Sequence, residues 1–225
     1  MSDGQLVPAD LSQLPETKQG VPTVQDVVSS SEFFPFIVLV QGQSTFATDP
    51  NFDLKSGTFI IPAGGKDPEQ VIKLGSSFEA VILAWRWKAI NFNVEPVQVA
   101  LDFDSEEFQA IKKMSDSKEQ GYNYGPEYLL WVDSEETFAT FPCLSVTLRN
   151  AAKREIQKLI KHNALIKAHW IDPEKSKHAW WGIKCVQSTN PVQNFPTLDA
   201  VQEAVERFIN ETTAESQETE EEIPH

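Results

Sequence analysis

Nine cationic side chains crowd into residues 141–190: Arg149, Lys153, Arg154, Lys158, Lys161, Lys167, Lys175, Lys177 and Lys184. Only Glu155, Asp172 and Glu174 oppose them, so the stretch carries about +6. The 225-residue chain as a whole stands at −14, which leaves about −20 for everything else. Trp170, Trp180 and Trp181, three of the six tryptophans, lie in the same stretch. Cations neutralise phosphates and flat rings stack on unpaired bases, so this combination is the chemistry of single-stranded nucleic-acid binding. The acidic pI, near 4.7, is an average over segregated charge and does not argue against it.

Other chemistries find less support. His162, His169 and His178 are scattered, with no Ser/His/Asp or Cys/His arrangement, so no catalytic residue is assigned. Gly64-Gly65-Lys66-Asp67-Pro68 lacks the Gly-Lys-Ser/Thr ending and the following helix of a phosphate loop. The acidic run Asp102–Glu107 has no nearby histidine or cysteine to complete a metal set and reads as the start of a helix capped by Asp104 or Ser105. Cys143 and Cys185 sit in apolar runs and are expected to be buried, reduced thiols. No cofactor is expected. Met1–Gly20 lacks a signal peptide's basic start and apolar core, and no run is long enough to span a bilayer, so a cytoplasmic protein without a membrane partner is expected.

The elements that must position these groups are mainly β with a few helices, an α+β chain. Residues 1–31 are polar and proline-containing, a disordered arm; residues 32–195 form a β domain; residues 196–210 form an amphipathic helix capped by Thr197; residues 211–225 form a disordered acidic tail. Strands are expected at Phe36–Gln41, Gly57–Ile61, Phe78–Phe92, Tyr128–Val132, Cys143–Leu148, Leu165–Ile171 and Ala179–Val186. A helix capped by Asn150 should run from Ala151 to His162. Alternation along Phe78–Phe92 puts Val81, Leu83, Trp85 and Trp87 on one face and Ile82, Ala84, Arg86 and Lys88 on the other. Trp85 and Trp87 then belong to the core, and Arg86 with Lys88 either forms a solvated face or extends the basic surface. Tyr122 and Tyr124, in a Gly121–Pro126 loop, are stacking platforms or rings packed over a neighbouring strand.

The chain ends Glu220-Glu221-Glu222-Ile223-Pro224-His225. This resembles the tip of bacterial single-stranded-DNA-binding proteins, where an acidic run precedes Ile-Pro-Phe and docks into pockets on replication and repair partners. His225 stands in place of the phenylalanine; an imidazole buries less apolar surface, which weakens that docking or redirects it to another pocket. The upstream domain is more similar to the divergent oligonucleotide/oligosaccharide-binding (OB) folds of phage single-stranded-DNA-binding proteins. The resemblance implies an OB-like barrel with insertions, acting in DNA replication, recombination and repair in a bacterial or phage-infected cytoplasm.

Under that reading Lys153, Arg154, Lys158, Lys175, Lys177 and His178 meet phosphates, Arg86 and Lys88 extend the surface, and Trp170, Trp180, Trp181, Tyr122 and Tyr124 supply stacking rings. Alternation turns Trp180 and Trp181 opposite ways, so at most one of the two stacks. The expected partners are single-stranded DNA and replication or recombination proteins at the tail, with a second copy of the chain left open as a further one. The alternatives are a virion or assembly protein without nucleic-acid contact and, more weakly, an enzyme. An acidic tail that competes with DNA for the basic surface predicts that deleting residues 211–225 tightens oligonucleotide binding at low salt, as read by fluorescence anisotropy. Unchanged affinity would count against that competition.

Overall fold

A computed structural model describes residues 34–62, 68–161, 167–176 and 180–210. The expected arm, the Gly64–Pro68 turn up to Asp67, Lys177, His178 and the acidic tail lie outside these residues. In chain order the elements are β1 (Val38–Leu39), α1 (Thr45–Thr48), β2 (Phe59–Pro62), β3 (Val71–Gly75), β4 (Phe78–Asn91), β5 (Gln98–Ala100), α2 (Glu106–Asp116), β6 (Tyr122–Val132), β7 (Thr137–Pro142), α3 (Val146–Lys161), β8 (His169–Lys175), β9 (Trp181–Gln187) and α4 (Leu198–Asn210). The α+β class is therefore what the chain adopts. Among the described residues, no helix is long and apolar enough to cross a membrane.

Two antiparallel sheets carry the fold, a small one in the order β1-β2-β3 and a larger one in the order β7-β6-β4-β8-β9, with β5 beside β4. One face of the large sheet, through Phe78, Ile82, Leu130, Phe141 and Ile171, packs on Leu39, Phe59 and Ile61 of the small sheet and on Leu148, Ala152 and Ile156 of α3. Its other face, through Val81, Leu83, Leu129 and Trp131, is covered by Val201, Ala204, Val205 and Phe208 of α4. The amphipathic helix thus docks on its own domain, capped as expected by Thr197, whose Oγ1 accepts the Ala200 N–H at 3.3 Å.

The sheets do not close into a barrel. β1 is only two residues long, too short to ladder with a border of the larger sheet. Residues 35–41 nevertheless reach both borders. Ile37 N–H donates to Thr140 O (2.7 Å) and Thr140 N–H to Pro35 O (2.8 Å) on β7. On β9 the Gln41 side chain behaves as a one-residue strand: its Oε1 accepts the Trp181 N–H at 2.8 Å and its Nε2 donates to Trp181 O at 3.1 Å.

A bulge in β4 changes which face its residues occupy. Ile82 pairs with Leu130 and Ala84 with Leu129, so Leu83 is an extra residue and the alternation slips there. Val81 and Leu83 face α4 as one set, but Trp85 joins the opposite, α3-covered core, and Trp87 packs with Phe103 and Phe108. Arg86 is delivered to the α4 side, next to Phe208. The unbroken alternation expected from the sequence holds only as far as the bulge, since one inserted residue transposes every later side chain.

Two other expectations change. Residues 122–126 are strand, not loop, because β4 is long enough to pair Asn91 with Tyr122. The expected strand Cys143–Leu148 is instead a short connection followed by helix: Ser145 accepts the Leu148 N–H on its Oγ at 3.3 Å, and α3 begins at Val146, well before Asn150. α2 is close to expectation, with Ser105 accepting the Phe108 N–H at 3.1 Å.

Cys143 and Cys185 are free and buried. Burial pushes the Cys143 thiol well up and the Cys185 thiol up to about 12. Thiolates are the reactive form, so neither thiol should react with Ellman's reagent at pH 8 until the protein is unfolded, when two equivalents appear. Rapid reaction of the native protein would contradict this packing.

The Arg86 and Lys88 side chains converge on one carboxylate beneath α4. Glu127, 1% exposed, sits cross-strand from Arg86 and accepts from Arg86 Nε at 2.8 Å and Lys88 Nζ at 2.7 Å. Arg86 also donates to the Phe208 carbonyl in α4, and its guanidinium lies 4.2 Å from the centroid of the Phe208 ring. Burial alone would raise the Glu127 pKa, but Lys88 and Arg86 outweigh it and hold the carboxyl below its usual range. A folded-state pKa below the unfolded one stabilises at pH above the ordinary glutamate value, and that contribution fades as pH falls through the folded value. Glu127→Gln removes the carboxylate that the two cations share and should cost roughly 3–5 kcal/mol at neutral pH in urea denaturation. The deficit should narrow in acid.

Candidate nucleic-acid interface

α3 presents cations on both flanks, and the two flanks are built differently. On one, Arg149 and Lys153 are a helical turn apart. The Arg149 guanidinium lies 3.8 Å from the Tyr124 ring centroid and donates to Tyr124 O at 2.7 Å. Tyr124 Oη donates to Asp116 Oδ1 at 2.9 Å, and Lys112 Nζ binds Asp116 Oδ2 at 2.8 Å, so this end is a closed, mutually satisfied cluster. The Lys112 ammonium holds the Asp116 carboxyl below its usual range, and burial raises the Tyr124 phenol.

One turn on, Lys153 lies in a more open setting. Its ammonium is 5.0 Å from the centroid of Trp87, a half-buried indole. Trp85 meets Trp87 edge-on at 5.8 Å, and Phe103 lies tilted against it at 5.2 Å. A second couple forms at the start of β9, where Lys175 Nζ is 5.8 Å from the Trp181 ring centroid. Trp181 is fixed through its backbone by Gln41 and through its ring by Gly57, whose φ of +88° suits glycine. A Cβ at Gly57 would fall 3.0 Å from the indole. Trp180, the neighbouring ring, is 43% exposed. α3 links the two couples: Lys153 reaches Trp87, while Ala151 packs against Gly182, whose missing Cβ permits the approach.

The other flank of α3 is neutralised internally. Glu155 accepts from Arg154 Nε at 3.0 Å, Lys158 Nζ at 2.5 Å and the Cys185 backbone N–H of β9 at 3.2 Å. Although its burial opposes ionisation, these three donors hold the carboxyl below its usual range. Arg154 makes a second ion pair, Nη2 to Glu174 Oε2 at 2.6 Å, across to β8.

The residues expected to touch nucleic acid therefore separate. Lys175 and Trp180 are exposed, Lys153 is half-buried, and Trp181 is a half-buried ring beside Trp180, so Trp180 is the more open of the two tryptophans. Trp170 is half-buried, cross-strand from Val186 and Glu79, and Tyr122 is half-buried against the Phe108 cluster. Arg154 and Lys158 are exposed but carboxylate-paired. Arg86 and Lys88 are corrected: both are spent on buried Glu127 and are not part of an outer basic surface. Tyr124 is likewise no stacking platform, since it is 8% exposed beneath Arg149. Lys177, His178 and the tail residues Glu220 to His225 lie outside the described residues. Trp85, Trp87 and Phe103 form a ring cluster beside Lys153 that sequence reasoning did not assign to the candidate site; the shared face of Trp85 and Trp87 was visible, and the bulge that turns it toward Lys153 was not.

His169 is fully buried, neither ring nitrogen has a hydrogen-bond partner, and burial lowers its pKa, which makes it a neutral core residue. Among the described residues, no group of three His, Cys, Asp or Glu side chains could hold a metal ion. No family model, curated protein or solved structure matches the chain.

Proposed function

We propose that the chain binds single-stranded DNA without chemistry, in replication or recombination. The observation that carries this reading is the pair of lysine–indole couples, Lys153 with Trp87 and Lys175 with Trp181, joined through α3. An ammonium resting on an indole is the intramolecular counterpart of a nucleotide's two demands: the cation can turn to a phosphate while the ring accepts a base. Trp180, already open, offers a further ring.

The OB-like reading of the domain belongs to the same proposal. Its support is the path of residues 35–41, which bond to β7 at one border of the large sheet and to β9 at the other, as a barrel-closing first strand would. The two borders are bridged by a backbone pairing and a side-chain amide in place of continuous ladders.

The test is anisotropy of labelled oligothymidine over a salt series, with duplex of the same length as competitor. Tight, salt-sensitive binding that prefers the single strand is expected. Trp180→Ala, at an exposed ring, should leave the fold intact and weaken binding by about 1–3 kcal/mol. Absence of binding at low salt, or equal affinity for duplex, would overturn the proposal.

A further inference from the structure

We propose that Glu174 is a built-in phosphate mimic, occupying Arg154 until a phosphate of the bound strand displaces it. The inference rests on the single-strand reading above and concerns how that surface is regulated. Arg154 has two carboxylate partners that differ in their freedom. Glu155 has an 8% exposed side chain and is fixed by Lys158 and by the Cys185 backbone N–H, so it cannot leave without stranding a backbone donor of β9. Glu174 has a 49% exposed side chain and pairs with Arg154, itself 59% exposed.

An exposed ion pair is worth little to stability, so exchanging one of its anions for another of the same sign is nearly neutral for the fold. A phosphate oxygen can take the place of Glu174 Oε2 at Arg154 Nη2 with the same charge-assisted hydrogen bond. The exchange also has a place in the architecture. Glu174 belongs to β8, one residue before Lys175, whose ammonium covers Trp181. The Arg154–Glu174 contact therefore ties α3 to the same strand end that carries a lysine–indole couple. Displacement frees this end from α3 while leaving the Glu155 bond to β9 in place.

The consequence is electrostatic and measurable. In the native protein, a phosphate that takes Arg154 sheds its counterion, but the released Glu174 acquires one, so the net release at this position is about zero. With glutamine at position 174 the counterion is released outright, and the slope of log K against log salt should steepen by about 0.7 for a single strand. Glu174→Gln should therefore bind labelled oligothymidine several-fold more tightly at low salt, with the advantage shrinking as salt rises. In an Arg154→Ala background the same substitution should bring no gain.

If wild-type protein binds and Glu174→Gln changes neither affinity nor slope, the displacement is wrong while the single-strand reading stands. If the gain persists in Arg154→Ala, Glu174 acts only through overall charge, and the proposal is again overturned. Wild-type protein that binds no oligonucleotide at low salt overturns both. Urea denaturation of each variant shows whether the fold is retained, and an unchanged midpoint is expected for Glu174→Gln.

Discussion

Glu127 holds together three parts of the chain that sequence alone keeps far apart. Its carboxylate lies on β6, its two cations on β4, and one of those cations reaches on to the carbonyl of Phe208 in α4. A charge this deep is tolerable because each oxygen has a cationic donor in close range, and the carboxylate in turn supplies both cations with a buried counter-charge. The geometry depends on the β4 bulge. If Leu83 were paired in regular alternation instead of bulged, Arg86 would point to the opposite side of the sheet and α4 would lose its anchor.

The same bulge sends Trp85 and Trp87 to the α3 side, where Lys153 settles over Trp87. One backbone irregularity thus distributes cations and rings between the interior and the candidate interface. Arg86 and Lys88 are withdrawn from solvent, and the half-buried Trp87 is the β4 residue that meets a lysine of α3. The basic surface is consequently smaller than the cation count of residues 141–190 suggests, because Glu155 and Glu174 neutralise part of it from within the same stretch.

Legibility from sequence followed the reach of the physical cause. Local causes were visible: the β-branched run of β4, the Ser105 and Thr197 caps, and the amphipathic stripe of α4 all depend on neighbours within a few residues. Long-range causes were not. Tyr122 and Tyr124 carry turn-like flanking glycines, yet they are strand because β4, some thirty residues earlier, extends far enough to pair with them. The α3 start was misplaced because Cys143–Leu148 is apolar enough for a strand, and only the Ser145 cap decides otherwise. Which lysines would be spent on carboxylates could not be foreseen from composition, since Arg154 meets Glu174 only through the fold.

The treatment of β9 has a bearing on self-association. A border strand normally displays unpaired backbone groups that invite another chain to add itself. Here the Trp181 amide and carbonyl are occupied by the Gln41 side chain and the Cys185 amide by Glu155. With those positions blocked by side chains of the same molecule, intermolecular sheet extension along this margin is discouraged.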